Sequence, residues 1–216
     1  MRGIVFIGGE GPGPELSRRI LDGAGPALIV AADSGLHAAE AAGVSPEWII
    51  GDMDSVDFDR DPRALERYPP ERVLRYPHAK DYTDTELALS LLRERGCTGI
   101  WLLGGGGGRT DHLLALASLF ERREKPERWF TAREEIRSLD PGEEALLNPA
   151  PRGPVSVFPL GTGPWKAESG GLRWPLGEAP WRRGFFGISN EALPGAPLRV
   201  RALEGSFLVL FPLPVL

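Results

Sequence analysis

The sequence has a single cysteine, Cys97, among its 216 residues, which leaves no disulfide framework to build on. Cys97 reads as a small buried hydrophobe, and a cytoplasmic setting is the expectation. There are only three histidines, His37, His78 and His112, on separate predicted elements, and with one cysteine they make no zinc-ligand spacing. Lysine is nearly absent too: it occurs at Lys80, Lys125 and Lys166, and the other basic residues are arginine. No Gly-x-Ser-x-Gly or Cys–His pattern argues for a covalent nucleophile. No apolar run approaches the ~20 residues of a membrane span, and "MRGIVFIGGE" is too short in its apolar part for a signal peptide. A net charge of −5 argues against nucleic acid as the main partner but leaves room for an anionic ligand, because a metal can supply positive charge.

What is present is glycine, proline and aspartate in an ordered pattern. Up to about residue 133, short apolar runs alternate with helical periods. The strands are "GIVFIGG", "ALIVAAD", "EWIIGD", "RVLRYP", "GIWLLGG" and "ERWFTARE". Between them run "PELSRRILDGAG" with Leu16, Ile20 and Leu21 at helical spacing, "SGLHAAEAAG", "DTELALSLLRERG" with Leu87, Leu91 and Leu92 inward, and "TDHLLALASLFERR". This predicts a mainly parallel, Rossmann-like α/β sheet covered by helices over residues 1–133, with ligands outside the carboxyl ends of its strands. From residue 134 to 216 the helical period is gone. Short apolar runs cut by glycine and proline predict a small all-β, sandwich-like domain, with "PLRVRA" and "SFLVLF" pairing as a hairpin across "LEG".

The strand ends carry the chemistry. Asp33 ends the second strand, Asp52 and Asp54 the third; Asp81 and Asp84 follow the fourth, and Gly104–Gly108, Arg109 and Asp111 follow the fifth. Asp52 and Asp54 begin a run that continues with Asp57, Asp59 and Asp61. The EF-hand order fails at Val56, and the run follows a strand rather than a helix. Hard carboxylates at i and i+2 suit Mg²⁺, whereas Asp57 onward reads as a solvated or helix-capping exit. In "KDYTDTE", Thr83 and Glu86 fit a capping box; Asp84 is a candidate third metal ligand and Lys80 a phosphate partner. The glycine run offers N–H groups and close approach to phosphate, and Arg109 beside it suits a phosphate clamp. It is not a Walker A sequence, since Leu103 stands where the first glycine belongs. "GGEGPG" likewise fails the dinucleotide fingerprint. Trp174 reads either as a core residue or as an aromatic face for a cationic ring.

Taken in order, "AADSG", "IIGDMDS", "KDYTDTE", "GGGGGRTDH", "GLRWPL" and "SNEA" resemble the thiamin pyrophosphokinase family over nearly the whole chain. Two departures are Ser34, where the family has a glycine, and the longer glycine run. The resemblance implies transfer of the pyrophosphoryl group of ATP to the hydroxyl of thiamin, giving thiamin diphosphate and AMP. It implies a nucleotide-binding α/β domain, a thiamin-binding β-sandwich and a homodimer. It also implies Mg²⁺ at Asp52, Asp54 and Asp84. Asp33, Ser34, Lys80, Thr83, Gly107, Gly108, Arg109 and Asp111 are implied around nucleotide, metal or reacting hydroxyl, and Trp174, Ser189 and Asn190 at thiamin. Asp81, Asp84 and Asp111 all remain candidates for the proton acceptor. A Mg²⁺-dependent nucleotide hydrolase, another pyrophosphokinase and a non-catalytic sensor are the competing readings. The three intact metal carboxylates favour catalysis.

Overall fold

The computed structural model describes residues 1–59, 61–148, 150 and 152–213. The chain divides into two compact units, residues 1–114 with 130–132 and residues 115–129 with 133–216. The division falls inside helix Thr110–Ser118 and strand Arg128–Phe130.

In the first unit β1 (Arg2–Phe6), α1 (Pro14–Ala24), β2 (Ala27–Ala32), α2 (Gly35–Ala41), β3 (Trp48–Gly51), β4 (Val73–Arg75), α3 (Asp84–Glu94) and β5 (Gly99–Leu103) follow one another. β5, β1, β2, β3 and β4 lie side by side in that order, all parallel. Ile4, Val5, Ile49, Ile50, Leu102 and Leu103 are almost wholly buried, as strands covered on both faces require. α3 starts on a complete capping box: the Glu86 N–H donates to Thr83 Oγ1 (3.3 Å), and Glu86 Oε2 accepts from the Thr83 N–H (2.9 Å). It buries Ala88, Leu89, Leu91 and Leu92, with Leu87 only half-buried. Gly3 is what lets it approach, since a Cβ there would stand 2.7 Å from a Leu92 methyl. Removing a side chain such as Leu92, which is fully buried, typically costs about 2–5 kcal/mol. α1 is shallower, with Leu16, Ile20 and Leu21 half-buried.

After α4 (Thr110–Ser118) and β6 (Arg128–Phe130), the second unit contains β7 (Glu134–Leu139), β8 (Glu144–Leu147), β9 (Pro154–Leu160), β10 (Lys166–Gly170), β11 (Gly187–Glu191), β12 (Leu198–Glu204) and β13 (Ser206–Pro212). β11, β9, β13 and β7 pair antiparallel in that order. β10, β12 and β8 form a separate three-stranded sheet. Side chains from both sheets, among them Val155, Val157, Val200, Ala202, Phe207 and Val209, share one core. The mostly parallel α/β sheet and the smaller antiparallel part agree with the sequence expectation.

The hairpin does not. β12 pairs with β8 and β10, whereas β13 pairs with β7 and β9. The chain crosses from one sheet to the other at Gly205, at φ +69, where a Cβ would stand 2.5 Å from the Pro164 carbonyl oxygen. Leu198, Val200 and Ala202 of β12 and Phe207, Val209 and Phe211 of β13 point into the core from opposite sides. The alternation of buried residues is the same for a hairpin and for such a crossing.

Candidate active site

In the first unit β1 has β5 on one side and β2 on the other, so the order reverses between β1 and β5, where parallel sheets open a crevice. The loops after these two strands are the two glycine-rich stretches, and they are zipped together. Gly105 donates to Gly8 (2.8 Å), Glu10 to Gly106 (2.7 Å) and Gly106 back to Glu10 (2.9 Å). Gly104 donates to Phe130 (2.9 Å). The N–H groups of Gly104, Gly105 and Gly106 are therefore already used, and the open end of the run is Gly107 and Gly108, at φ +63 and +66. Glu10 lies so close that a Cβ on Gly107 would meet its carboxyl carbon at 2.6 Å, whereas Gly108 faces open space. Ser34 begins α2 with its hydroxyl oxygen 2.6 Å from where a Gly8 Cβ would be. Its neighbour Gly35 is required, since a Cβ there would reach to 2.1 Å from the Phe6 carbonyl oxygen.

Next along the edge, the ends of β2 and β3 bring the aspartates together through unusual backbone. Asp33 and Met53 have φ +50 and +67, values rare for non-glycine residues. The Met53 side chain is buried with Ala31, Leu36, Ile49 and Val56. That anchor and the left-handed turn aim Asp52 and Asp54 away from this core, Asp52 nearly buried against Lys80 and Asp54 exposed, and the Asp54 N–H donates to Asp52 Oδ1 at 3.2 Å. Asp84, the first residue of α3, completes the cluster with Asp33 and Asp52; one carboxylate oxygen from each lies within 4.8 Å of the others. Lys80 is wedged among them, Nζ 2.9 Å from Asp52 Oδ2 and 3.1 Å from Asp84 Oδ1. The second contact lacks hydrogen-bond alignment.

Three carboxylates against one ammonium leave an excess of negative charge. Two like charges about 4 Å apart repel by about 4 kcal/mol even at an effective dielectric of ~20. Acidity divides accordingly. The hydrogen bond from Lys80 holds Asp52 far below the usual carboxylate range. Burial pushes Asp33 up, opposed by the hydroxyl of Ser55, and burial pushes Asp84 up against the pull of Lys80. Burial alone would lower Lys80, but Asp52 and Asp84 outweigh it and raise it. Asp33 Oδ1 and Asp84 Oδ1 are sealed from solvent and accept no hydrogen bond. A buried carboxylate oxygen of Asp33 with no partner, and one of Asp84 with only the Lys80 ammonium, both hard oxygen donors beside ionised neighbours, fit a divalent cation such as Mg²⁺.

Asp54 meets Asp52 and His78 rather than Asp84, and five other residues singled out in the sequence lie outside this cluster. Asp81 is exposed before α3. Arg109 and Asp111 are exposed and paired with each other, Nη2 to Oδ2 2.6 Å and Nε to Oδ1 3.1 Å, which raises the arginine and lowers the aspartate. Thr83 uses its hydroxyl in the helix cap. Asp61 is held by Arg67 (2.6 Å) and the Arg63 N–H (3.2 Å), in line with a capping exit. Four residues escaped the sequence reading. Gly51, at φ +146, leaves room for Asp84 and Asp33. Ser55 donates to Asp33. Glu10 ties the glycine loops. His78, on its loop, places Nδ1 3.1 Å from Asp52 Oδ2 and 3.3 Å from Asp54 Oδ2. The glycine-aspartate sequence before Met53 hinted at the first; a lone histidine in "PHAKD" gave no signal.

In the second unit, Trp174 is 53% exposed and Ser189 has φ +58. Asn190 is buried, with its carboxamide bound to the backbone of Trp174.

Residues 24–129 match the family model described as thiamin pyrophosphokinase, catalytic domain. A thiamine pyrophosphokinase from Bacillus subtilis is 28% identical over 170 residues, covering 77% of this chain and 78% of the relative. Among solved structures, a thiamine pyrophosphokinase from Bacillus subtilis aligns over 100% of both chains with a TM-score of 0.78 at 23% identity. One from Candida albicans aligns over 99% of this chain and 89% of that one, with a TM-score of 0.72 at 15% identity. Motif order, fold and sequence matches agree in placing residues 24–129 in the thiamin pyrophosphokinase family.

Proposed function

We propose that this chain is itself a thiamin pyrophosphokinase, moving the pyrophosphoryl group of ATP to the hydroxyl of thiamin and releasing AMP. The observation that carries the reading is the meeting of Asp33, Asp52 and Asp84 at one sheet edge, with Asp33 Oδ1 buried without a partner and Asp84 Oδ1 held only by the Lys80 ammonium. Such a cluster is costly without a cation, and transfer between phosphates depends on positioning and charge neutralisation more than on a covalent nucleophile.

Asp52, Asp54 and Asp84 would hold Mg²⁺, with Asp33 beside them. When bound, the ion supplies positive charge against the triphosphate. Lys80, already at the cluster, and Arg109, exposed and free to leave Asp111 for a phosphate, add cationic contacts. Gly107 and Gly108 offer backbone at the mouth of the switch point, and Ser34 and Thr83, at the starts of α2 and α3, complete the expected nucleotide contacts. The thiamin hydroxyl oxygen bonds to the β-phosphorus, the bond from that phosphorus to the oxygen bridging to the α-phosphate breaks, and AMP leaves. The hydroxyl proton passes to a carboxylate; Asp81 and Asp111 are the two that the metal does not occupy. Trp174 and Ser189 belong to the thiamin surface in the second unit, with Asn190 bonded behind Trp174.

The same reading includes a homodimer and a cytoplasmic enzyme. The dimer draws support from exposed apolar side chains on and beside edge strand β11, Phe186, Ile188 and Leu193. Among the described residues no helix is long and apolar enough to cross a membrane. The test is purified protein with ATP, Mg²⁺ and thiamin, followed by nucleotide analysis. Thiamin-dependent AMP in a one-to-one ratio with thiamin diphosphate is expected. ADP as product, or AMP formed equally without thiamin, would replace the reading with an ordinary kinase or a hydrolase; binding without turnover would indicate a sensor.

A further inference from the structure

Asn190 has been grouped with the residues that touch thiamin, but its polar atoms are engaged elsewhere. The residue is 5% exposed. Its Oδ1 accepts the N–H groups of Trp174 (3.1 Å) and Glu191 (2.9 Å), and its Nδ2 donates to the Trp174 carbonyl (2.6 Å). The bonds around it explain why. The segment before Trp174 runs antiparallel to the end of β11: Leu193 donates to Gly171 (2.8 Å), and Arg173 donates to Glu191 (2.9 Å). At Ser189 the backbone turns left-handed, and the register of β11 on its other neighbour shifts between Gly187 and Asn190. The backbone ladder thus stops one residue short of Trp174, and the Asn190 carboxamide, which has the donor and acceptor of a peptide unit, carries it one step further.

The consequence lies at the indole. Trp174 is 53% exposed, yet both polar groups of its peptide are fixed. The guanidinium of Arg173 lies 5.0 Å from the ring centre and is itself held by Glu191 at 2.8 Å. An exposed aromatic ring on a fixed backbone is a pre-ordered platform for a planar cation.

We propose that Asn190 is a positioning residue: its carboxamide extends the β11 ladder to Trp174 and so presents the indole to the cationic heteroaromatic substrate, without touching that substrate. The inference rests on the reading of Trp174 as part of the thiamin surface.

Two substitutions test it, Asn190→Ala and Asn190→Asp. The second keeps the shape and both acceptor bonds but sets a carboxylate oxygen against the Trp174 carbonyl, so it stays informative if the alanine variant does not fold. Losing such a bond is expected to raise the KM for thiamin about tenfold, with kcat and the KM for ATP within about twofold. Hydrogen exchange at the Trp174 amide should quicken by about tenfold or more in the same variants. In a Trp174→Ala background, Asn190→Ala should add nothing further to the thiamin KM, because the two act as one unit. If neither variant changes Trp174 exchange or thiamin KM, the proposal is overturned. It is equally overturned if kcat and both KM values worsen together and do so again in the Trp174→Ala background, the mark of a merely structural residue. If Trp174→Ala itself leaves the thiamin KM unchanged, the reading of Trp174 falls and takes the inference with it. If Trp174→Ala raises that KM and the Asn190 variants do not, only the inference falls.

Discussion

Gly51 and Asp84 are packed so closely that any side chain at position 51 would press on the carboxylate: a Cβ on Gly51 would stand 3.1 Å from both Cγ and Oδ1 of Asp84. The glycine also has φ +146, a conformation L side chains rarely adopt. Gly51→Ala therefore strains the backbone, by about 1–3 kcal/mol, and pushes Asp84 away from Asp52. The shift asked of Asp84 is a few tenths of an ångström, so turnover should fall by about tenfold, less than the ~100-fold of an ångström-scale misplacement, while the fold survives. Steady-state assay and urea denaturation of the same preparation check both halves.

Asp33→Asn should stabilise the metal-free protein while removing activity. Burial, and then its aspartate neighbours, hold the Asp33 pKa above its ordinary 3.8. Between 3.8 and that raised value the folded state binds more protons than the unfolded chain, so metal-free stability falls as pH rises through the window. Asp52 has the opposite sign, and its contribution is lost only as pH falls through its depressed pKa, well below that window. An asparagine can still accept the Ser55 hydroxyl but carries no charge to desolvate. Urea midpoints measured in EDTA between about pH 4 and pH 7 should rise in the variant and flatten with pH.

Lys80→Ala should do the reverse. Its ammonium is the cation in direct contact with Asp52 and Asp84, and its side chain is only 13% exposed. Without it the carboxylates repel with nothing between them. The variant should melt below the parent in EDTA, and Mg²⁺ should recover more of the difference than it adds to the parent. Thermal melts with and without Mg²⁺ decide this. An equal metal increment in both proteins would detach Lys80 from the metal site.

The sheet and the aspartates at its edge were legible because apolar runs ending in glycine or aspartate fix where parallel strands stop. The split of the acidic run was legible for the same reason: Asp52 and Asp54 end β3, and Asp61 turns to Arg67. Three things were hidden. The crossing at Gly205 has the same alternation as a hairpin. The glycine run suggested N–H groups open to phosphate, but half its purpose is packing against the Gly8–Gly11 loop, a partner nearly a hundred residues away. Asn190 and Ser189 are adjacent in one motif, yet the backbone twist at Ser189 turns the Asn190 carboxamide to the protein rather than outward. Local pattern reports which elements form; long-range partners decide how their side chains are used.

His78 is the residue whose role the spacing of the sequence could not suggest, since it lies on a separate loop from Asp52 and Asp54. Its Nδ1 is 3.1 Å and 3.3 Å from one oxygen of each. Adjacent ligands of an octahedral ion at ~2.1 Å are about 3.0 Å apart, so Nδ1 stands at the spacing of a neighbouring ligand from each of the two oxygens. A nitrogen donor adds little for Mg²⁺, which prefers oxygen, and more for ions further along the transition series such as Co²⁺ or Ni²⁺. The His78 side chain is 83% exposed and anchored by these contacts, so its removal should leave the fold alone. His78→Ala is expected to weaken Co²⁺ binding about tenfold and to leave Mg²⁺ binding nearly unchanged, as measured by calorimetry without nucleotide. Equal effects on the two ions would mean that His78 serves the aspartates only as a hydrogen-bond partner.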